Sequence, residues 1–527
     1  MWAPRLAVAT GLIALVAWSF WQRWQLLASS PFPLGVDGYF YPIQLRALLE
    51  RGALQYPASP LAFYLLAPLA AVTDPITGAK LGAALYGAAI GLPAYGVGVR
   101  LGGGRGAGLV AAALATTSVG SWYLTTEFVK NGIGLSVALT ALWLVLRATE
   151  RPSAARLAVA GAGLCCAYAT HKMAAALVLI VAIPAALAAA TSHGRLRGRR
   201  LFYAIGGILL AALVALVVGA VAPRRVLSVD DLALVRGLGS TTPRWTAPAL
   251  VFPGGELALG HDALLGLALA LGAVIASAWR AWPAAGPAAR PGAGLARETR
   301  DERATVTPVR VDRAAAPPAV AAASWPILVL AIAIGLPFLA VTDRQGLGFR
   351  LRIAAFVPAA LSAAIFVRVA LARHRHAGRA LAALAVVLTL VRRPGAARDG
   401  EVVTHPALVA AAQALRGHVP GDATLIVPER HLAFLVAWYT RAPVATRPEA
   451  IARARRYRLL PLHFIGAGSA LDHALIAARA EPGLVAPLGV HPRHPNGLVL
   501  VAEPTWEWIL DQLPAADRAH FAAWPTI

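Results

Sequence analysis

The sequence predicts an all-α polytopic membrane bundle with a small C-terminal α/β domain, and three observations predict it. Charged residues make up only 14% of the 527 positions and hydrophobic ones 58%, against roughly 25% charged in a soluble domain. Mean hydropathy is +0.63, too high for a larger core to explain, because a surface still has to be covered. Nearly uncharged runs of about 17–22 residues recur, each long enough as helix to cross ~30 Å of hydrocarbon. Hydrocarbon offers no water to backbone N–H and C=O groups, so such runs are helices or strands of a closed barrel. Barrel strands alternate over ~10 residues; these runs do not alternate, which leaves helices.

The spans fall at about 4–22, 76–98, 106–122, 132–148, 155–171, 173–190, 201–222, 263–279, 325–342, 353–371 and 379–393, about eleven transmembrane helices by length. The first resembles a signal peptide. It ends in the aromatic belt Trp18-Ser19-Phe20-Trp21-Gln22-Arg23-Trp24 without a small-x-small cleavage site, so it reads as an uncleaved membrane helix.

Orientation follows from the loops. Arg100 to Arg105, Arg147 to Arg156, His193 to Arg200 and Arg373 to Arg379 fall on one side if the N-terminus is cytoplasmic. So does the Pro-, Ala-, Gly- and Arg-rich stretch 280–324, read as a disordered cytoplasmic linker. Basic loops on one side are the positive-inside signature. They account for the formal charge of +23 without nucleic acid as a partner. Cys165 and Cys166 lie side by side in an apolar run, about 100° apart on a helix, and read as packing residues rather than a disulfide or metal framework.

The other side then holds the first outer loop, 23–75, together with Trp122 to Asn131, the Thr170-His171-Lys172 break, 223–262, Thr342 to Arg352 and everything after 393. Residues 1–393 form the membrane domain and 394–527 an extracytoplasmic α/β domain. In the latter, Thr424 to Val427 and Gly497 to Val501 read as strands; His431 to Tyr439, Ala470 to Ala480 and Thr505 to Leu513 read as helices. Its His491-Pro492-Arg493-His494-Pro495 string reads as a turn rather than a zinc site.

Candidate chemistry collects on that outer side. Asp37, in Gly35-Val36-Asp37-Gly38-Tyr39-Phe40-Tyr41-Pro42, stands beside a flexible glycine and an aromatic cluster. Pro42 opens a short helix that Gly52 closes. Glu127, Lys130 and Asn131 sit together in Thr125-Thr126-Glu127-Phe128-Val129-Lys130-Asn131. His171 and Lys172 occupy a tight turn between two spans. Asp343, Arg344, Arg350 and Arg352 cluster at another outer boundary, where arginine runs against the positive-inside bias and its planar fork suits phosphate. Ionisable groups at such depth are costly unless paired or facing a cavity. The blander readings are a turn aspartate, an interfacial Glu–Lys pair, a snorkelling lysine and lipid headgroup contacts.

In this order the features resemble the GT-C superfamily of membrane glycosyltransferases, which includes protein mannosyltransferases, aminoarabinose transferases and oligosaccharyltransferase catalytic subunits. Asp37 in Val36-Asp37-Gly38-Tyr39 matches the acidic position of the family's first outer loop. Pro60-Leu61-Ala62-Phe63-Tyr64 looks like its Pro-Leu-aromatic helix, and Glu127 resembles the second acidic position of the oligosaccharyltransferase branch. The Glu-Phe-x-Lys-Asn string and the Thr-His break are similar to uncharacterised prokaryotic members. The resemblance covers about 1–190 and, more loosely, up to 393. The paired acid of the first loop is absent, since Gly38 follows Asp37.

The resemblance implies an inverting glycosyltransferase of a bacterial cytoplasmic (inner) membrane. It would move a sugar from a polyprenyl-phosphate donor to an envelope glycan or protein acceptor on the extracytoplasmic face. Asp37 would be the general base, Glu127 would orient the acceptor or a divalent cation (Mg or Mn), and Arg344, Arg350 or Lys172 would stabilise the departing phosphate. Tyr39, Lys130, Asn131, His171, Asp343 and Arg352 would complete the substrate-binding set. No residue is assigned as a metal ligand. A transporter or flippase would need internal repeats and charged mid-membrane helices, which the sequence lacks. A non-catalytic scaffold in envelope assembly is the other alternative.

Overall fold

A computed structural model of the chain describes residues 3–194, 259–281, 317–336, 347–371 and most of 406–522. The chain is mainly helical and is an integral membrane protein. Six helices are long and apolar enough to cross a membrane, or up to seven if one bent pair counts as a single span.

The bundle begins with α1 (Ala3–Ala28) and two short helices, α2 (Phe40–Arg51) and α3 (Leu61–Val72). Next come α4 (Pro75–Ala89), α5 (Gly91–Gly102), α6 (Arg105–Thr117), α7 (Val119–Thr126), α8 (Val129–Glu150), α9 (Ala154–Thr170) and α10 (Lys172–Ser192). Beyond lie α11 (Leu259–Ala281), α12 (Pro318–Gly335), α13 (Leu347–Ile353) and α14 (Phe356–Leu371). Of the expected spans, 201–222 and 379–393 lie outside the described residues, apart from a few isolated positions. Those expected at 155–171 and 353–371 are the apolar helices α9 and α14, shorter than a full crossing. The eleven-span expectation therefore reduces to six or seven among the described residues.

Two differences have local causes. The third span is not one straight helix: Ser118 leaves helical geometry (φ −63°, ψ 150°) and caps α7 by accepting from the Ser121 amide, bending the pair by 45°. The linker read at 280–324 ends sooner, because Pro317 and Pro318 start α12. A proline at the first helical position loses no hydrogen bond, so 318–324 are helical. Within the expected linker, 282–316 lie outside the described residues.

Chain punctuation follows the sequence closely elsewhere. Gly52 ends α2 in a left-handed turn (φ 69°), its amide donating to Leu48 O. Asp74 caps α4 by accepting from the Ile76 and Thr77 amides at 2.8 and 3.1 Å. Alternation of the helices sorts the bundle into two ends. Arg100 pairs with Glu150 at 3.0 Å at one end. The last turns of α1, α7 and α9 and the first turns of α4, α8 and α10 mark the other.

The C-terminal part is α/β. It runs α15 (Pro406–Leu415), β1 (Ala423–Ile426), α16 (Arg430–Thr440), β2 (Arg455–Pro461), α17 (Ala470–Ala477), β3 (Leu484–Val485), β4 (Leu498–Ala502), α18 (Glu503–Asp511) and α19 (Ala515–Ala522). The sheet order is β1-β2-β4-β3, with β1 parallel to β2 and the other pairs antiparallel. Strands β2 and β3 and helices α15 and α19 add to the expected elements; the His491 turn lies outside the described residues. Period-two alternation divides the sheet. Leu459, Leu498 and Leu500 join a core with Phe40 of α2 and with Phe63 and Leu66 of α3, whereas Leu460, Val499 and Val501 pack on Trp506. One sheet face thus rests, through α15 and α16, on α2 and α3.

Candidate active site at one end of the bundle

The site is built on a turn that only glycine permits. Gly35 has φ +82°, and a Cβ there would lie 2.3 Å from Thr126 O. The first loop consequently lies directly against the end of α7. The Val36 amide donates to Glu127 Oε2 at 2.8 Å. Asp37 follows at once, with its carbonyl accepting from the Phe40 amide to start α2. Gly38 is equally confined, since a Cβ would lie 2.6 Å from Leu34 O. Asp37 is 7% exposed and Glu127 2%. The structure therefore brings together the two acids that stand ninety residues apart in the sequence.

Around them the loop is fastened on several sides. The Tyr41 hydroxyl accepts from the Lys130 amide at 3.2 Å. Tyr39 is buried, with its hydroxyl 3.3 Å from that of Tyr439 and the rings 5.9 Å apart. Burial first, and this hydrogen bond second, raise the Tyr39 pKa, so the phenol keeps its proton. Phe40 stacks on Tyr56, meets Phe63 edge-on and lies tilted against Phe434. Gln44 holds the Tyr56 backbone from both sides, at 2.8 and 2.9 Å.

Lys130 and Asn131 lie in the first turn of α8, half-buried. His171 caps α10, its Nδ1 accepting from the Ala174 amide at 3.3 Å. That bond gives His171 a structural task at the same end of the bundle. Gly134 admits it, because a Cβ there would lie 2.3 Å from the His171 Cβ. Lys172 is the next residue. Helix α13 packs along α7 through Phe349 and Tyr123, whose rings meet edge-on at 6.2 Å. This contact brings Arg350 and Arg352 to the site's neighbourhood. Arg352 is 4% exposed, and its guanidinium nitrogens find no hydrogen-bond partner among the described residues. Burial lowers its pKa. Asp343 and Arg344 lie outside the described residues.

Two groups escaped the sequence reading. Asp262, at the start of α11, accepts from the Gly120 amide at 2.7 Å and so holds the first turn of α7. Arg23 is fully buried. It donates to Ser121 Oγ at 2.7 Å, Ser19 Oγ at 3.0 Å, Thr125 Oγ1 at 3.1 Å and Thr116 O at 3.1 Å. Its guanidinium also lies 4.2 Å over the Trp122 ring. Arg23 therefore clamps α1 to both sides of the α6–α7 bend. The only signal in the sequence was an arginine within an aromatic belt, which more often marks a membrane boundary.

No protein-family model and no curated protein matches the chain. Among solved structures it is similar to a crystal structure of the Archaeoglobus fulgidus oligosaccharyltransferase in complex with Zn and sulfate. The two share 14% identity at a TM-score of 0.47, over 90% of this chain and 71% of that one. A likeness of that size fixes neither fold nor function.

The divalent cation implied by the sequence resemblance meets a thin donor set. Among the described residues no three His, Cys, Asp or Glu side chains come together, and Glu127 already engages the Val36 amide. These residues do not form a protein cage for a cation.

Proposed function

We propose that this chain is an inverting membrane glycosyltransferase that uses a polyprenyl-phosphate sugar and works on the extracytoplasmic face of a bacterial cytoplasmic membrane. The observation that carries the reading is the clamp between Val36 and Glu127, which fixes Asp37 beside a second buried acid at one end of an apolar bundle. An arginine-bearing helix, α13, packs on the same α7. Acid, acid and guanidinium at one boundary suit a substrate whose lipid tail stays between helices and whose phosphate emerges at the surface.

In the proposed reaction an acceptor hydroxyl or amide attacks the sugar's anomeric carbon from the face opposite the phosphate. Its proton passes to the Asp37 carboxylate as the new bond forms. The bond from the anomeric carbon to phosphate oxygen breaks, and polyprenyl phosphate departs. Negative charge grows on that oxygen, and Arg344, Arg350 or Lys172 would stabilise it, with Arg352 completing the set that binds the phosphate. Glu127 holds the Asp37 loop and orients the acceptor, which makes positioning the main contribution. Tyr39, Lys130, Asn131, His171 and Asp343 line or support the substrate.

The direct test incubates the purified chain, in lipid nanodiscs, with a panel of polyprenyl-phosphate sugars. Consumption of one donor with release of polyprenyl phosphate supports the reading. Intact donors throughout, together with labelled lipid crossing the bilayer unchanged, would replace it with a flippase.

A further inference from the structure

A cavity of about 200 Å³ lies between α2 and α16, lined by Arg46, Glu50, Arg51, Gln55, Tyr56 and Arg441, with alanine and isoleucine side chains completing the wall. It stands at the far end of α2 from Asp37 and plays no part in the transfer proposed above. Three of its lining groups are guanidinium and one is carboxylate, so the formal charge on the wall is +2. Glu50 reaches only as far as 3.8 Å from Arg441, a loose pairing.

Arg46 and Arg51 are held in place by neutral partners. Arg46 donates to Trp438 O at 3.0 Å and lies 4.3 Å over the Trp438 ring. Burial, and next the Arg441 charge, lower the Arg46 pKa. Arg51 donates to Gln55. Arg441 has φ +63°, the one non-glycine left-handed residue among the described residues. It sits just past α16, where glycine is the usual choice and a side chain strains the backbone. Arginines near helix C-termini also offset the helix dipole. That role requires neither a cavity nor a strained backbone, and it does not gather mutually repelling cations.

We propose that this cleft binds a phosphomonoester group. A dianionic phosphate balances the wall's charge, which a single carboxylate would not, and guanidinium forks match its oxygens. The cavity is smaller than the ~300–1,000 Å³ of a drug-sized site, so it takes the phosphate and a small polyol rather than a large ligand. Glycerol phosphate meets both limits, either free or as a lipid headgroup.

The test titrates sn-glycerol 3-phosphate into the full-length chain in phosphatidylcholine nanodiscs, at low salt, by calorimetry. Saturable binding is expected, weakened about tenfold by Arg51→Gln and by Arg441→Gln and tightened by Glu50→Gln. Arg51 and Glu50 are exposed, so these variants keep the fold even if Arg441→Gln does not. Phosphatidic acid added to the nanodiscs distinguishes the sources: competition assigns the site to a lipid headgroup, and unchanged binding assigns it to a soluble ester. Absent binding, equal affinity in all variants, or weakening by Glu50→Gln would overturn the proposal. Asp37→Asn leaves this binding unchanged, so its failure is separable from failure of the transferase reading.

Discussion

The Val36 amide and the Glu127 carboxylate are joined by a 2.8 Å hydrogen bond, and this bond makes two distant loops a single site. Without it, the turn that carries Asp37 would lose its direct tie to Glu127 and keep only the contacts of Tyr39, Phe40 and Tyr41 further along. With it, the acid is pinned between α7 and the start of α2, supported from behind by the aromatic cluster around Phe40.

Gly35→Ala tests the close approach. The new Cβ would meet Thr126 O, and the left-handed backbone adds strain, together about 1–3 kcal/mol. Thermal unfolding in detergent should show a clear drop. Gly11→Ala, in the interior of α1 with nothing within 4 Å of the new Cβ, should not lower stability and should raise it by about 0.5–1 kcal/mol.

Arg23→Met removes the clamp on the α6–α7 bend and leaves Ser121 Oγ and Thr116 O without a donor they now have. The expected cost is about 3 kcal/mol or more. Arg23→Lys should recover only part of it, because an ammonium cannot reproduce a planar fork. Equal melting of all three proteins would remove Arg23 from the account.

Arg352→Leu should separate stability from activity. A buried guanidinium without a hydrogen-bond partner among the described residues burdens the fold, so its removal should stabilise by about 1 kcal/mol. Turnover of a phosphate-bearing donor should fall roughly 100-fold. Lower stability with unchanged turnover would show a packing role.

Much of the bundle was legible in the sequence because hydrocarbon imposes a length and an apolar composition on every crossing. Gly52 marked a helix end for an equally local reason. The bend at Ser118 was not legible: a serine within an apolar run looks like any other small residue until Asp262 and Arg23 are seen to hold its neighbours. Asp37 and Glu127 were recognisable as candidates, but residue spacing carries no information on the distance between them. The rest of the site depends on tertiary pairing. Tyr39 with Tyr439, and Arg46 with Trp438, join positions about four hundred residues apart, and no spacing rule reaches that far.

Shared access is a further consequence. Single cysteines at Asp37 and Arg350 should both react with a membrane-impermeant maleimide added from the extracytoplasmic side of intact cells. Labelling from opposite sides would separate the proposed base from the proposed phosphate ligands.

The most direct test is turnover of the Asp37→Asn enzyme on whichever polyprenyl-phosphate sugar the parent consumes, alongside its thermal unfolding. Loss of a proton acceptor should lower product formation by at least about 100-fold while the unfolding temperature stays near that of the parent. Product formed at the parental rate by a folded Asp37→Asn chain would contradict the assignment of Asp37 as the base.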